Sequence, residues 1–519
     1  MSQHPPGLKR SLFNDFNVNL SRFIRDYALH SQGMFNRLLV SDMANRQAAR
    51  MSPNAAWQQI VKAERTVPAF QKLLATKHWH DVRGLKKPAR IALLPETDKH
   101  GYIDVYSTAD RCIGGQIPLR DAEVDESSGS SGKPYNWIRG RDELLELRKT
   151  LSRLATFIYG PDLVTINGFS MGAWATGTNV SLSLAQNGLL KSTGPDPEKM
   201  ISALEFLGPD RTYIITGYPP FLQELLDYGK KLNFPWEKYT MHGIVGGEAM
   251  SETLRDRLLE YFQTVTSAYG ASDLDIGVAS EFPLSSWIRR QAHKNPELAA
   301  ALFGESRRLP MLFQYDPLDY YVEQNEQQEL VVTVSRPQAL SPRLRYNVHD
   351  VGGTLPFDYV IDTCRQFGLD PLKDAPLPYA GKHPRLPFLY IGGRSDSTVS
   401  YQGANIYPED VEQALFADAP KTEAGLLHGF AMELMDDAAG ESRPCVHVEL
   451  SEGVVAKAVD TKAMQVRLRE RLAKNSRDFK EAVAENPKTG ELQVQVHALG
   501  TGPFAGMNSR IKRRYIIKK

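Results

Sequence analysis

Cysteine is scarce: the 519-residue chain has three, Cys112, Cys364 and Cys445, far apart and with no Cys-x-x-Cys pair. That argues against a zinc site built on clustered cysteines and fits a reducing compartment. Cys445 and His447 in PCVHVEL lie on one face of an expected strand, which reads as core packing. An excess of one charge is also missing. With 62 basic against 61 acidic residues the formal net charge is +1, which makes no electrostatic case for nucleic acid or an anionic membrane. The terminal RIKRRYIIKK is basic, but a short run fits a solvated face or a local phosphate contact. No stretch approaches the ~20 apolar residues that span a bilayer, and MSQHPPGLKRSLFNDF lacks the apolar centre of a signal peptide. Internal repeats and long low-complexity segments are absent too. What remains is an ordinary globular composition, 42% hydrophobic and 24% charged, on a chain too long for one core. The expectation is a multidomain cytoplasmic enzyme with no nucleic-acid or membrane partner.

Periodicity organises the chain. AWQQIVKAERTVPAFQKLL (56–74) carries helical spacing with a break at Pro68. From about 140 to 310, short apolar runs read as strands (LVTIN, ALEFL, YIITGY, GIVGG, SAYGA) alternating with helical stretches. That alternation predicts open α/β sheets with at least partly parallel strands. Residues 308–350 look β-rich. Near 396 the pattern restarts as a compact α+β unit: TVSYQGANIYP, the helical EDVEQALFAD, CVHVEL, the charged helix DTKAMQVRLRERLAKN, and LQVQVHAL.

Two glycine-rich stretches invite chemistry. Gly168-Phe169-Ser170-Met171-Gly172 has the G-x-S-x-G form of a nucleophile elbow, follows a β-branched run and precedes small residues. At this glycine content one such motif arises by accident in roughly one chain in six. The loop Ser127, Ser128, Gly129, Ser130, Ser131, Gly132, Lys133 offers hydroxyls, approachable backbone N–H groups and an ammonium, a set suited to polyphosphate. It is not the Gly-x4-Gly-Lys-Ser/Thr loop, because Pro134 follows the lysine; a flexible linker is the plain alternative. Weaker signals follow in order: Gly246-Gly247-Glu248, Tyr269-Gly270-Ala271-Ser272-Asp273, RYNVHD ending at Asp350, Gly393-Arg394-Ser395-Asp396, and GANIYPEDVE from Gly403.

Taken together, these segments resemble the adenylate-forming superfamily of acyl-CoA synthetases, luciferases and adenylation domains. SSGSSGKP resembles that family's SSGTTGKP loop, and LPETDK (94–99) and the helix at 56–74 resemble the phenylacetate–CoA ligase branch. The resemblance implies an α/β fold in two parts. A large N-terminal domain, residues 1–395, would hold αβ sheets and a β-rich subdomain; a small mobile α+β domain would span 396–519. It further implies ATP and Mg²⁺, a small carboxylic acid, and coenzyme A or a carrier protein as acceptor, with a homodimer left open. Ser127 to Lys133 would wrap the β- and γ-phosphates. Gly247, Glu248 and Tyr269 would frame adenine, Ser272 would meet the α-phosphate, and Asp273 would take the metal-binding position, one methylene shorter than the family's glutamate. Asp350, helped by Arg394, would hold the ribose hydroxyls. Asp396 would be the hinge and Gly403 would flank the thiol channel. Lys512 or Arg510 would supply the catalytic cation near the C-terminus, and the two are not interchangeable. On this reading Phe169, Met171 and Trp174 line an acyl pocket and Ser170 is a turn residue. An amine acceptor, a non-catalytic ligand-binding relative, and a serine hydrolase using Ser170 are the alternatives.

Overall fold

The computed structural model describes residues 6–77, 88–127, 135–172, 175–304, 309–394, 399–402, 404–436, 442–451 and 453–505. A hairpin of β1 (Ala122–Ser127) and β2 (Tyr135–Gly140) precedes the main sheet. The sheet's first strands are β3 (Leu163–Asn167), β4 (Gly188–Ser192), β5 (Thr212–Gly217), β6 (Thr240–Gly246) and β7 (Thr264–Ala271). It continues with β8 (Asp275–Ser280), β9 (Met311–Tyr315), β10 (Tyr320–Gln324), β11 (Glu329–Val334), β12 (Tyr346–Leu355) and β13 (Phe388–Arg394). These form one 11-stranded sheet in the order β10-β11-β12-β13-β9-β8-β7-β6-β5-β3-β4. Neighbours from β4 to β7 are parallel, and from β7 to β10 every pair is antiparallel. One sheet therefore contains both the expected parallel region and the β-rich region.

The parallel half buries nearly unbroken apolar strands such as Tyr213, Ile214 and Ile215 under helices on its faces. The antiparallel half packs Phe313, Val332 and Tyr346 against N-terminal helices through Ile60 and Phe70. The break expected at Pro68 is real. The helix Asp42–Thr66 ends, Val67 is extended, and Pro68 opens the helix Pro68–Thr76, where its missing N–H costs nothing. One expected strand is a helix instead: ALEFL is the last turn of Pro197–Leu207. Asp196 caps that helix by accepting from Lys199 N at 3.1 Å, with Pro197 at the first position. Its buried Met200, Ile201, Ala203 and Leu204 repeat at helical intervals, which a five-residue apolar window does not reveal. Two further helices, Pro6–Ala28 and Gln32–Leu39, precede the helix read from the sequence.

Beyond the sheet, β14 (Val399–Tyr401) pairs with β15 (Ala404–Ile406), and β16 (Leu427–Asp436), β17 (Ser442–Leu450) and β18 (Gln493–His497) form a three-stranded sheet. The helices Thr461–Asn475 and Arg477–Glu485 accompany them around a core of their own that includes Ile406, Val448, Leu468 and Phe479. Cys445 and His447 are both buried there, and His447 is bonded through its ring nitrogens to Glu433 and His497. No helix among the described residues is long and apolar enough to cross a membrane.

Candidate active site

In open α/β sheets the crevice beyond the carboxyl ends of the parallel strands is where ligands bind. The turns after β3, β5, β6 and β7 meet there, and the sequence motifs fall on three of them. At the end of β6, Gly246 is tightly enclosed, since a Cβ would stand 3.1 Å from the Ala268 carbonyl oxygen. Gly247 has φ +84°, and a Cβ there would meet the Tyr218 ring at 2.8 Å. The turn presents Glu248, whose Oε1 accepts a hydrogen bond from Gln402 N at 3.3 Å. Burial pushes the Glu248 carboxyl up to about 8, and the Gln402 bond only partly offsets it.

The end of β7 is dense with charge. Tyr269 donates from its hydroxyl to Asp350 Oδ2 at 2.6 Å. Asp350 on β12 stands opposite Arg394 on β13 in register, with the guanidinium Nη1 4.0 Å from Oδ1. Burial first, then Asp350, raises the Tyr269 phenol well above its ordinary value, so it stays a donor. Asp273 is 7% exposed, and Tyr346 donates to its Oδ2 at 3.1 Å while Lys99 Nζ lies 3.5 Å away. Burial pushes this carboxyl up, but Lys99, Arg394, the Tyr346 hydroxyl and Arg343 together outweigh it. Asp273 is therefore held below the usual carboxylate range and stays an anion.

Four residues that the sequence did not single out build this corner. Lys99 ends LPETDK, whose chain runs beside β12: Thr97 N donates to the Arg345 carbonyl at 2.9 Å, and Asn347 N to the Thr97 carbonyl at 2.7 Å. That pairing brings Lys99 between Asp273 and the ring of Tyr135, with Nζ 5.6 Å from the ring centroid. Arg139 on β2 donates to Asp125 Oδ2 at 2.8 Å and to the Ser272 carbonyl at 2.7 Å, tying the β1–β2 hairpin to the turn after β7. Arg343 donates to the Asp273 carbonyl at 2.5 Å and lies over the Trp137 ring, 4.9 Å from its centroid. Tyr346 is the fourth. Lys99 and Tyr346 had a signal, as members of the quoted LPETDK and RYNVHD segments; Arg139 and Arg343 are conspicuous only once buried.

The turn after β3 is built for space. A Cβ on Gly168 would lie 2.7 Å from both the Phe221 ring and the Thr216 carbonyl, so only glycine fits. Asn167 fixes the turn, donating to the Gly177 carbonyl at 2.9 Å and to Ser181 Oγ at 2.7 Å while accepting from Phe169 N at 3.1 Å. Phe169 is buried with its ring edge-on to Tyr218, centroids 5.4 Å apart, and Met171 beside it is half-buried. Ser170 has none of the backbone strain of an elbow nucleophile: the left-handed residue of this turn is Gly172, at φ +92°. The Ser170 hydroxyl donates to Glu485 Oε2 at 2.6 Å, and no histidine is bonded to it among the described residues. Among the described residues the hydrolase alternative thus lacks its base.

The structure brings Gly247, Glu248, Tyr269, Ser272, Asp273, Asp350 and Arg394 to one end of the sheet, with Phe169 and Met171 on the neighbouring turn. Ser127 closes β1. Ser128 to Lys133, Trp174, Asp396, Gly403, Arg510 and Lys512 lie outside the described residues. Among those described, no three potential metal ligands cluster. A Mg²⁺ held mainly by phosphate oxygens and water needs only one or two carboxylates, and Asp273 is a carboxylate held in ionised form at this end of the sheet.

No protein-family model matches this sequence, and no curated protein does. Solved structures do. A 2-hydroxyisobutyryl-CoA ligase in complex with 2-HIB-AMP and CoA, in the thioesterification state, matches at TM-score 0.60 and 15% identity over 94% of this chain and 92% of that one. An open conformation of the same ligase with the same ligands matches at 0.51 and 14% identity, covering 94% and 95%. Its postadenylation state with 2-HIB-AMP matches at 0.50 and 14%, covering 94% and 93%. The chain has the fold of the adenylate-forming CoA ligases.

Proposed function

We propose that this protein activates a small organic carboxylic acid with ATP and passes the acyl group to the thiol of coenzyme A. The acid's oxygen attacks the α-phosphorus and pyrophosphate leaves; the thiol then attacks the acyl carbon and AMP leaves. The observation that carries this reading is the array of buried Asp350 and Asp273 with half-buried Tyr269, Arg394 and Lys99 at the carboxyl end of that fold's sheet. Asp350 accepts both ribose hydroxyls, since a carboxylate has lone pairs for two donors, and Arg394, 4.0 Å from its Oδ1, helps orient it. Gly247, Glu248 and Tyr269 frame adenine. Ser272 meets the α-phosphate, Ser127 to Lys133 wrap the outer phosphates, and Lys99 adds a cation beside them. Asp273 would hold a Mg²⁺, which offsets phosphate charge when bound. Such charge stabilisation is the main catalytic demand of transfer at phosphorus.

Phe169, Met171 and Trp174 make the acyl pocket apolar and partly aromatic, in keeping with the phenylacetate–CoA ligase branch that LPETDK resembles. Residues 396–519 act as a mobile domain turning about Asp396, with Gly403 beside the thiol channel and Lys512, or else Arg510, delivered to the α-phosphate. The test is acid-dependent ATP–pyrophosphate exchange across a panel of aryl and short-chain acids, followed by CoA-dependent AMP release. Exchange with at least one acid is expected, and abolition by Lys512→Ala would assign the cation. No exchange with any acid sinks the proposal and favours a ligand-binding protein. Exchange without CoA-dependent release moves the acceptor to a carrier protein or an amine.

A further inference from the structure

Ser170, the residue that gave the G-x-S-x-G motif its interest, has a partner 315 positions away. Its buried hydroxyl donates to Glu485 Oε2 at 2.6 Å. The adjacent Asn486 donates from Nδ2 to Glu224. Glu485 ends the helix Arg477–Glu485, and Asn486 is at once its C-cap and the N-cap of the 3₁₀ turn Pro487–Gly490. Asn486 is 5% exposed, and its Oδ1 accepts from Lys488 N at 3.0 Å, so both its polar ends are used. The two side chains therefore leave one rigid corner of the C-terminal unit.

The places they reach are not random surface. Ser170 stands between Phe169 and Met171 in the turn assigned to the acyl pocket. Glu224 lies on the helix Pro219–Lys231, whose N-cap is Tyr218, the ring on which Phe169 packs edge-on. A third bond from the C-terminal unit, Gln402 N to Glu248, lands on the turn after β6. In this arrangement the chain superposes better on the thioesterification state of the 2-hydroxyisobutyryl-CoA ligase than on its open or postadenylation states.

We propose that Glu485 and Asn486 form a docking corner that seats the C-terminal unit on the acyl-pocket turn through Ser170 and Glu224, and so positions it for thioester formation. This rests on the function proposed above. Both are positioning residues, and the GFSMG turn serves as their receptor. The proposal ties the corner to thioester formation, so its loss should weaken that half-reaction and spare adenylation.

The experiment separates the halves. In Glu485→Ala/Asn486→Ala, acid-dependent pyrophosphate exchange should stay within about twofold of the parent. CoA-dependent conversion of pre-formed acyl-adenylate should fall ~10-fold, as expected for losing hydrogen bonds to charged groups. Ser170→Ala should reproduce part of that fall and Glu485→Gln should restore most of it. Equal loss in both halves, or none in either, overturns the proposal. A second readout needs no activity: spin labels at Phe206→Cys and Val466→Cys, whose parent side chains are 87% and 55% exposed, report the distance between the two parts. The double variant should shrink the population at the docked distance. An unchanged distribution overturns the corner, whereas a parent protein inactive with every acid but showing that shift indicts only the catalytic reading.

Discussion

The corner at the end of β7 and the turn after β3 belong to the same sheet and face the same crevice, yet they are filled by opposite means. The first holds two carboxylates, an ammonium, guanidinium groups and two phenols, each tied to a named partner at hydrogen-bond or ion-pair distance. The second holds glycines, an edge-on aromatic pair and a side-chain amide that locks the backbone. Dipoles and charges fixed before the ligand arrives need no reorganisation during reaction, which suits phosphate chemistry. Close backbone approach and an apolar wall suit recognition of an acyl group. The contrast implies that substitutions in the corner act on rate and substitutions in the turn act on choice of acid.

The largest effect should come from Asp350→Ala. It removes the proposed ribose acceptor and leaves the Tyr269 hydroxyl unmatched, so exchange should drop by ~100-fold or more, with a stability loss of about 1–3 kcal/mol. Pyrophosphate exchange and thermal unfolding would measure both, and activity near the parent level would break the assigned role of the corner. Next is Lys99→Met, for which a ~10-fold or greater fall in exchange is expected. It also has a pH signature. Asp273 is held below its unfolded value of 3.8, so its contribution to stability is complete above that value and is lost as pH falls through the native one. Removing Lys99 raises the native value, so the variant's stability deficit should be greatest at neutral pH and shrink below about pH 4. A deficit that grows on acidification would contradict the pairing. The smallest change in rate belongs to the turn. Phe169→Leu should cost about 1–2 kcal/mol of stability and change the preference between aryl and short acids by ~10-fold. A similar loss with every acid would erase the difference between the two regions.

Much of the fold was legible beforehand because its signals are local. β-branched runs gave β3, β5 and β6, and Pro68 gave the helix break. ALEFL failed because four apolar residues around Glu205 are too few to tell one period from the other, and the capping signal that settles it lies upstream at Asp196 and Pro197. In the site, Gly247 and Gly168 could be read as tight turns, but Arg139 and Arg343 look like ordinary surface or core residues in a string of letters.

By itself the sequence determined the order of the motifs, the placing of glycines at their turns, and the overall charge balance. Those follow from spacing and backbone geometry, which a chain carries locally. Only the tertiary structure decided which charges face one another: Lys99 with Asp273 across 174 positions, Tyr269 with Asp350, and Ser170 with Glu485 rather than with a histidine. Electrostatic partners are chosen by distance in space and by the water excluded around them, and neither quantity exists until the sheet has formed.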